Sequence, residues 1–95
     1  MRPVLATDLL CAGRAVLAVA PQARCDRARR LLQEAETADR FCQSSGAPHP
    51  DFGDGTLAAA ARHAGLAVEP TICDPDFAHA LILVLSALKF CRFDN

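Results

Sequence analysis

One short segment of the chain carries side chains that could hold a metal ion. It reads His49-Pro50-Asp51-Phe52-Gly53-Asp54-Gly55-Thr56, and another histidine follows it in the next predicted helix. Imidazole and carboxylate groups are suitable ligands for divalent metals. The ligands of a small metal-dependent enzyme would be His49, Asp51, Asp54 and His63. No known metal-binding spacing is present, however, and prolines, glycines and aspartates at this density are typical of a turn. We therefore predict a turn here, with no metal or other cofactor, and keep the enzyme as an alternative.

The thiols suggest a second kind of chemistry. The five cysteines are Cys11, Cys25, Cys42, Cys73 and Cys91. No two of them have the C-x-x-C spacing of a zinc site or a thioredoxin-like motif. Their odd number in a helical chain indicates reduced thiols and a cytoplasmic protein. A thiol redox sensor using Cys73 or Cys91 remains a further alternative.

An arginine-rich segment could bind anions. It contains Arg24, Arg27, Arg29 and Arg30, with Asp26 among them. The planar guanidinium group suits phosphates and carboxylates, so nucleic acid or an acidic protein is a candidate partner. The whole chain has 10 basic and 11 acidic residues and a net charge of −1, which is not the strongly basic balance of a nucleic-acid-binding domain. A solvated helix face with pairs such as Asp26–Arg30 explains the same charges.

No catalytic constellation is visible. The serines lack the G-x-S-x-G elbow of hydrolases, and no glycine-rich phosphate loop is present. We therefore predict that the protein is not an enzyme.

Four predicted helices position these side chains. They cover approximately residues 8–19, 22–44, 57–64 and 75–92 of a single domain of 95 residues. Few residues are β-branched and none form an alternating run, so we predict the all-α class.

Caps and helix breakers define the ends of the predicted helices. We expect Thr7, Thr56 and Asp74 to cap N-termini, because their short polar side chains can accept from the first backbone N–H groups. Pro75 suits the first position of the last helix. Gly46 suits the left-handed residue that ends the second helix.

The last predicted helix is apolar on nearly all sides. Such a helix must be buried all round, so we predict a compact bundle of about four helices with this helix at the centre. Three short neighbours cover it poorly, which suggests that another copy of the chain or a protein partner packs on it. The predicted self-association surface comprises Leu81, Leu85, Leu88, Phe90 and Phe93. The most apolar stretch of this helix, residues 77–88, is shorter than the roughly 20 residues that span a bilayer, so we predict no membrane segment.

Three segments resemble a known family. They are the loop from His49 to Leu57, the A-x-x-A-D segment at residues 35–39 and the D-P-D motif at residues 74–76, beside a start that reads M-R-P-V-L. The chain resembles a family of small, uncharacterised alphaproteobacterial proteins of about this length. The resemblance covers most of the chain and implies a helical fold with no assigned activity.

These observations favour a non-catalytic, self-associating adaptor. A concrete version is a small subunit that presents the arginine-rich helix to nucleic acid or to an acidic protein. It would be similar in size and helical style to the small terminase subunits of phages, which is an analogy of architecture alone.

Overall fold

The computed structural model describes residues 1–90, in which every regular element is a helix. The helices are α1 (Ala6–Leu17), α2 (Arg24–Ser45), α3 (Leu57–Ala64) and α4 (Pro75–Phe90), with a short 3-10 helix at Pro21–Ala23 before α2. No β-strand occurs in this part of the chain, so the all-α class is confirmed. The Cα radius of gyration is 12.6 Å, close to the value of about 13 Å for a folded domain of 100 residues.

Three of the predicted caps are confirmed. The Thr56 hydroxyl accepts a hydrogen bond from the Ala59 N–H at 3.1 Å. The Asp74 carboxylate accepts from the backbone N–H of Asp76 at 2.9 Å and of Phe77 at 3.1 Å. Gly46 ends α2 in the left-handed conformation with φ of 74°. These groups satisfy backbone donors and acceptors that a helix end leaves without partners.

The predicted cap of α1 is wrong. Leu5, not Thr7, occupies the N-cap position, and Thr7 lies exposed in the first turn. The Asp8 carboxylate reaches back and accepts from the Leu5 N–H at 2.8 Å. An acid in the first turn can thus replace a capping side chain at the N-cap position. Helix α1 begins at Ala6, two residues earlier than predicted.

Helix α1 lies at the centre of the bundle. It packs against α2, α3 and α4, and the side chains of Ala12, Ala15 and Val16 are fully buried. A Cβ added at Gly13 would lie 2.6 Å from Leu81 Cδ2. The small residues of α1 therefore let its neighbours approach closely.

Helix α4 is apolar but has one open face, so its predicted central position is not confirmed. Its buried residues are Phe77, Ala80, Val84 and Ala87. On the other side Ile82, Leu85 and Phe90 are 56%, 51% and 77% exposed. Small-residue α1 takes the centre, and α4 packs against α1 and α2 through one face only. Among residues 1–90, none of the helices combines the length and the hydropathy of a membrane span.

Candidate functional site

The loop between α2 and α3 is built by local hydrogen bonds. His49 and Gly53 exchange backbone hydrogen bonds of 2.7 and 3.0 Å. The Nδ1 atom of His49 also accepts from the backbone N–H groups of Asp51, at 3.0 Å, and Phe52, at 3.2 Å. The turn therefore occupies the Nδ1 lone pair, which a metal bound at this nitrogen would need.

Aromatic rings attach this loop to α2. The His49 ring stacks on Phe52 at a centroid distance of 4.7 Å and meets Phe41 of α2 edge-on at 5.0 Å. Ring pairs in these arrangements contribute about 0.5–1.5 kcal/mol beyond the area that they bury. His49 is thus a packing residue as well as a turn residue.

Asp54 prepares the start of α3. Its Oδ1 accepts from the Thr56 hydroxyl at 2.7 Å and from the Thr56 N–H at 3.0 Å. These hydrogen bonds hold the pKa of Asp54 below its usual value, because they stabilise the charged carboxylate. Within residues 1–90 no group of three or more His, Cys, Asp or Glu side chains is arranged to hold a metal ion. The structure therefore does not assemble the metal site considered for His49, Asp51, Asp54 and His63.

Two residues of the arginine-rich segment bind backbone carbonyls. Arg24 donates to Val19 O at 3.1 Å and to Leu17 O at 3.3 Å, at the C-terminal end of α1. Arg27 donates to Ala15 O at 3.4 Å and to Ala64 O at 2.8 Å. A cation is favourable at the C-terminal end of a helix, where carbonyls lack partners. Arg24 and Arg27 therefore connect helices inside the chain.

The other two arginines face solvent. Arg29 pairs with Asp26, three residues earlier, so the suggested pair Asp26–Arg30 is not the one that forms. Arg30 is exposed, and no described residue gives it a hydrogen bond or an ion pair. Arg27 and Arg30 nevertheless line the same two clefts, so the segment is divided between internal hydrogen bonds and a solvent-exposed side.

Arg27 is expected to contribute to the free energy of unfolding, whereas Arg30 is not. Because Arg27 holds carbonyls of two other helices, we expect Arg27→Ala to lower the free energy of unfolding by about 2 kcal/mol. Arg27→Lys should recover little of this, since an ammonium group lacks the planar fork that reaches both carbonyls. Urea unfolding followed by circular dichroism measures the effect. Arg30→Ala is the matched control and should stay within about 0.5 kcal/mol of the wild type; equal losses at both positions would contradict the assignment.

The described cysteines are free thiols in different environments. Cys11 is buried, Cys42 is partly buried, and Cys25 and Cys73 are exposed. The Cys42 Sγ lies 3.8 Å from the Gly53 carbonyl oxygen, to which it can donate. Cys91, one of the two suggested sensor residues, lies outside the described residues.

The open face of α4 is a candidate interaction surface. Of its predicted residues, Leu85 and Phe90 are exposed, Leu81 and Leu88 are half-buried, and Phe93 lies outside the described residues. The prediction missed Ile82, which lies opposite the buried residues and so at the centre of the open face. The sequence carried a signal for it, because the polar residues His79 and Ser86 flank Ile82 at helical spacing.

An open cleft borders this face where α4 meets α2. It has a volume of about 240 Å³, and its lining includes Leu83, Ser86 and Phe90 of α4 and Cys25 of α2. The cleft extends the apolar surface sideways from the open face. The polar residues His79 and Ser86, both exposed, interrupt this apolar surface.

Sequence reasoning also missed the buried carboxylate Asp8. Its exposed fraction is 6%, and its Oδ1 accepts from the Ala58 N–H in the first turn of α3 at 3.0 Å. Asp8 thus serves the N-terminal ends of α1 and α3 at once. Its partner is fifty residues away in the chain, so no local pattern could have revealed the contact.

Comparison with known proteins gives the chain a family. The model of a domain of unknown function, DUF7742, matches residues 2–88. No curated protein and no solved structure matches the chain. The match covers α1, α2, α3 and nearly all of α4, in agreement with the expected membership of an uncharacterised family. The chain belongs to the DUF7742 family.

Proposed function

We propose that the protein is a non-catalytic interaction module that self-associates through the open face of α4. The observation that carries the proposal is the exposure of Ile82, Leu85 and Phe90 on one helix. Single exposed apolar side chains are ordinary, but three on the solvent side of one helix make that side a candidate interaction site. Full burial of such a side chain contributes about 1.5–3 kcal/mol, so a second copy that covers the exposed part of three from each chain gains a corresponding share of that free energy.

The rest of the molecule supports an interaction role over a catalytic one. The loop that carried the candidate metal ligands uses His49 and Asp54 for its own hydrogen bonds. Arg24 and Arg27 bind carbonyls of the same chain, which favours a protein partner over nucleic acid. The odd number of cysteines in a helical chain favours a reducing, cytoplasmic environment for this module.

Self-association is tested by the mass in solution. We expect sedimentation equilibrium at micromolar concentration to give a mass above the 10.1 kDa of one chain. Ile82→Glu and Leu85→Glu should each raise the dissociation constant at least tenfold, because the interface would have to bury a charge in place of an apolar group. Both side chains are more than half exposed, so the variants should unfold at the temperature of the wild type when all are compared at concentrations low enough for the wild type to be dissociated.

Val68 supplies the matched control. It is also apolar, is 90% exposed and lies in the α3–α4 connection rather than on α4. Val68→Glu introduces the same charge and should leave the mass unchanged. A wild-type chain that stays at 10.1 kDa at tens of micromolar would overturn the proposal.

A further inference from the structure

We infer that Arg30 and Arg27 form a binding site for an acidic side chain, glutamate or aspartate, of a partner protein. Arg30 binds the carboxylate, and Arg27 beside it supplies a second positive charge that the fold holds in place. The site lies on α2 rather than on α4, so the inference does not depend on the self-association proposed above.

Both arginines line an open cleft at the start of α2. The cleft has a volume of about 280 Å³, and its other lining residues are Val19, Ala23 and Asp26. All of them belong to α2 or to the segment between α1 and α2. We call this cleft the arginine cleft.

The arginine cleft and the cleft beside α4 lie on different sides of α2. Cys25 and Arg29 line the cleft beside α4. An α-helix turns by about 100° per residue, so both of these residues lie about 160° from Arg27 around the helix. A ligand in the arginine cleft therefore leaves the open face of α4 accessible.

The Arg30 guanidinium is open to a ligand although two carboxylates are spaced to pair with it. Asp26 precedes it by four residues and Glu34 follows it by four, which is the spacing of ion pairs on a helix. Within residues 1–90, however, Asp26 pairs with Arg29, and neither Glu34 nor Arg30 forms an ion pair. The five N–H donors of the Arg30 fork thus remain for a molecule outside the chain.

Arg27 is a fixed charge next to this open fork. It precedes Arg30 by three residues and so lies on the same side of α2. Its Nε donates to Ala15 O at 3.4 Å and its Nη2 to Ala64 O at 2.8 Å, while its Nη1 has no partner within residues 1–90. Because these hydrogen bonds already hold the side chain, a ligand does not have to immobilise it.

The charges of the arginine cleft favour an anion. Its only carboxylate among the described lining residues is Asp26, and Arg29 offsets that charge. A guanidinium group binds a carboxylate through two parallel N–H···O hydrogen bonds, and the Arg30 fork is free to form both. Val19 and Ala23 provide apolar surface for the methylene groups of the same acidic side chain.

The other side of the arginine pair favours a single carboxylate over a nucleic acid. There Arg27 and Arg30 line a smaller cleft of about 150 Å³ together with Glu34, Asp51 and His63. A nucleic-acid strand carries a phosphate at every nucleotide, so a strand that passed the arginines would bring further phosphates close to these two carboxylates. One acidic side chain occupies the arginine cleft alone and avoids this repulsion.

Titration with an acidic peptide tests the site. The probe is a peptide of four glutamates, acetylated and amidated so that only its side chains are charged, and it is added to the ¹⁵N-labelled full chain. We expect saturable shifts of the Nε–Hε signals of Arg27 and Arg30. The backbone N–H signals of Ala23 and Asp26 should shift with them, whereas that of Ile82 on the open face should not. Shifts spread evenly over the basic residues of the chain would overturn the site.

Substitution of Arg30 separates a fork-shaped contact from general charge attraction. Arg30→Ala should raise the dissociation constant of the peptide about fivefold, and Arg30→Lys should recover only part of this, because an ammonium group lacks the fork. Arg40→Ala is the matched control. Arg40 is another exposed arginine of α2 that does not line the arginine cleft, and its removal should leave the dissociation constant within about twofold. Equal losses of affinity for Arg30→Ala and Arg40→Ala would overturn the site.

A nucleic-acid probe of equal charge identifies the class of partner. A single-stranded thymidine pentanucleotide carries the same four negative charges as the peptide, and we expect it to bind about threefold more weakly at the same ionic strength. A pentanucleotide that binds as tightly as the peptide, and loses affinity in Arg30→Ala, would overturn the acidic protein partner in favour of nucleic acid. A chain that is monomeric in solution would overturn the self-association proposed above and leave this inference unaffected.

Discussion

Replacement of Asp8 by alanine is expected to lower the free energy of unfolding by about 3 kcal/mol, a large share of the 5–15 kcal/mol that is typical of a native protein. The carboxylate is 6% exposed and accepts from the N–H groups of Leu5 and Ala58. Without it, two backbone donors at helix starts lose their partners, and an unsatisfied buried donor costs about 1–3 kcal/mol. The negative charge near two helix N-terminal ends is lost as well.

Asparagine at position 8 should give an intermediate result. Its carbonyl oxygen can accept one of the two hydrogen bonds, but its NH₂ group cannot accept the other. Thermal unfolding followed by circular dichroism should show a melting temperature roughly 15 °C lower for Asp8→Ala and about half that decrease for Asp8→Asn. Asp51→Asn, at an exposed loop carboxylate, is the control and should have little effect. An Asp8→Asn protein as stable as the wild type would show that the charge and the second hydrogen bond contribute nothing.

Replacement of Gly55 by alanine should also destabilise the protein by about 3 kcal/mol, for two separate reasons. Gly55 has φ of +97°, a conformation that side chains disfavour. A Cβ at this position would lie 2.8 Å from Asp39 Cα and 2.9 Å from Asp39 Cβ. These atoms belong to helix α2 and cannot rotate away, so the loop or the helix must shift. The shift would also strain the hydrogen bond from the Arg2 N–H to the Gly55 carbonyl, which is 3.0 Å long.

Gly65 separates the two reasons. It has a similar φ of +107°, but no atom lies within 4 Å of the position that its Cβ would take. Gly65→Ala therefore measures the conformational cost alone, about 1–2 kcal/mol. Urea unfolding of both variants should show the larger loss for Gly55→Ala. Equal losses of unfolding free energy would mean that the contact between a Cβ at position 55 and Asp39 adds no destabilisation.

Local sequence signals predicted much of this fold, because helix ends depend on residues a few positions apart. Thr56, Asp74 and Gly46 act at the ends where their residue types indicated. The prolines, glycines and aspartates between α2 and α3 likewise predicted the irregular loop. These contacts lie within four residues of each other in the chain, which is the range that capping and turn rules cover.

Contacts between distant segments were not predictable in this way. Asp8 was visible only as a charge that interrupts an apolar run, and nothing near it indicated that Ala58 would be its partner. The arginine segment suggested an anion-binding surface because four arginines lie within seven residues. Their spacing could not show that Arg24 and Arg27 bind backbone carbonyls of distant segments.

The predicted central position of α4 is not confirmed, and the reason is physical. Apolar composition shows that a helix avoids water, but it does not show whether the same chain or another molecule covers each face. The helix at the centre of a bundle must instead let its neighbours approach closely. The small residues of α1 allow this approach. Helix α4 was predicted to be buried on all sides, and its open face is the side that the rest of the chain leaves uncovered.

The two ends of α3 have a consequence for how the chain folds. This helix has eight residues, fewer than the roughly 12–15 that an isolated helix needs to be even marginally stable in water. Asp8 of α1 binds its first turn, and Arg27 of α2 binds its last carbonyl, that of Ala64. Both supports come from segments made earlier in the chain, so α3 gains its stability only once α1 and α2 have come together. The shortest α-helix therefore depends on its neighbours, and its presence reports that α1 and α2 are packed together.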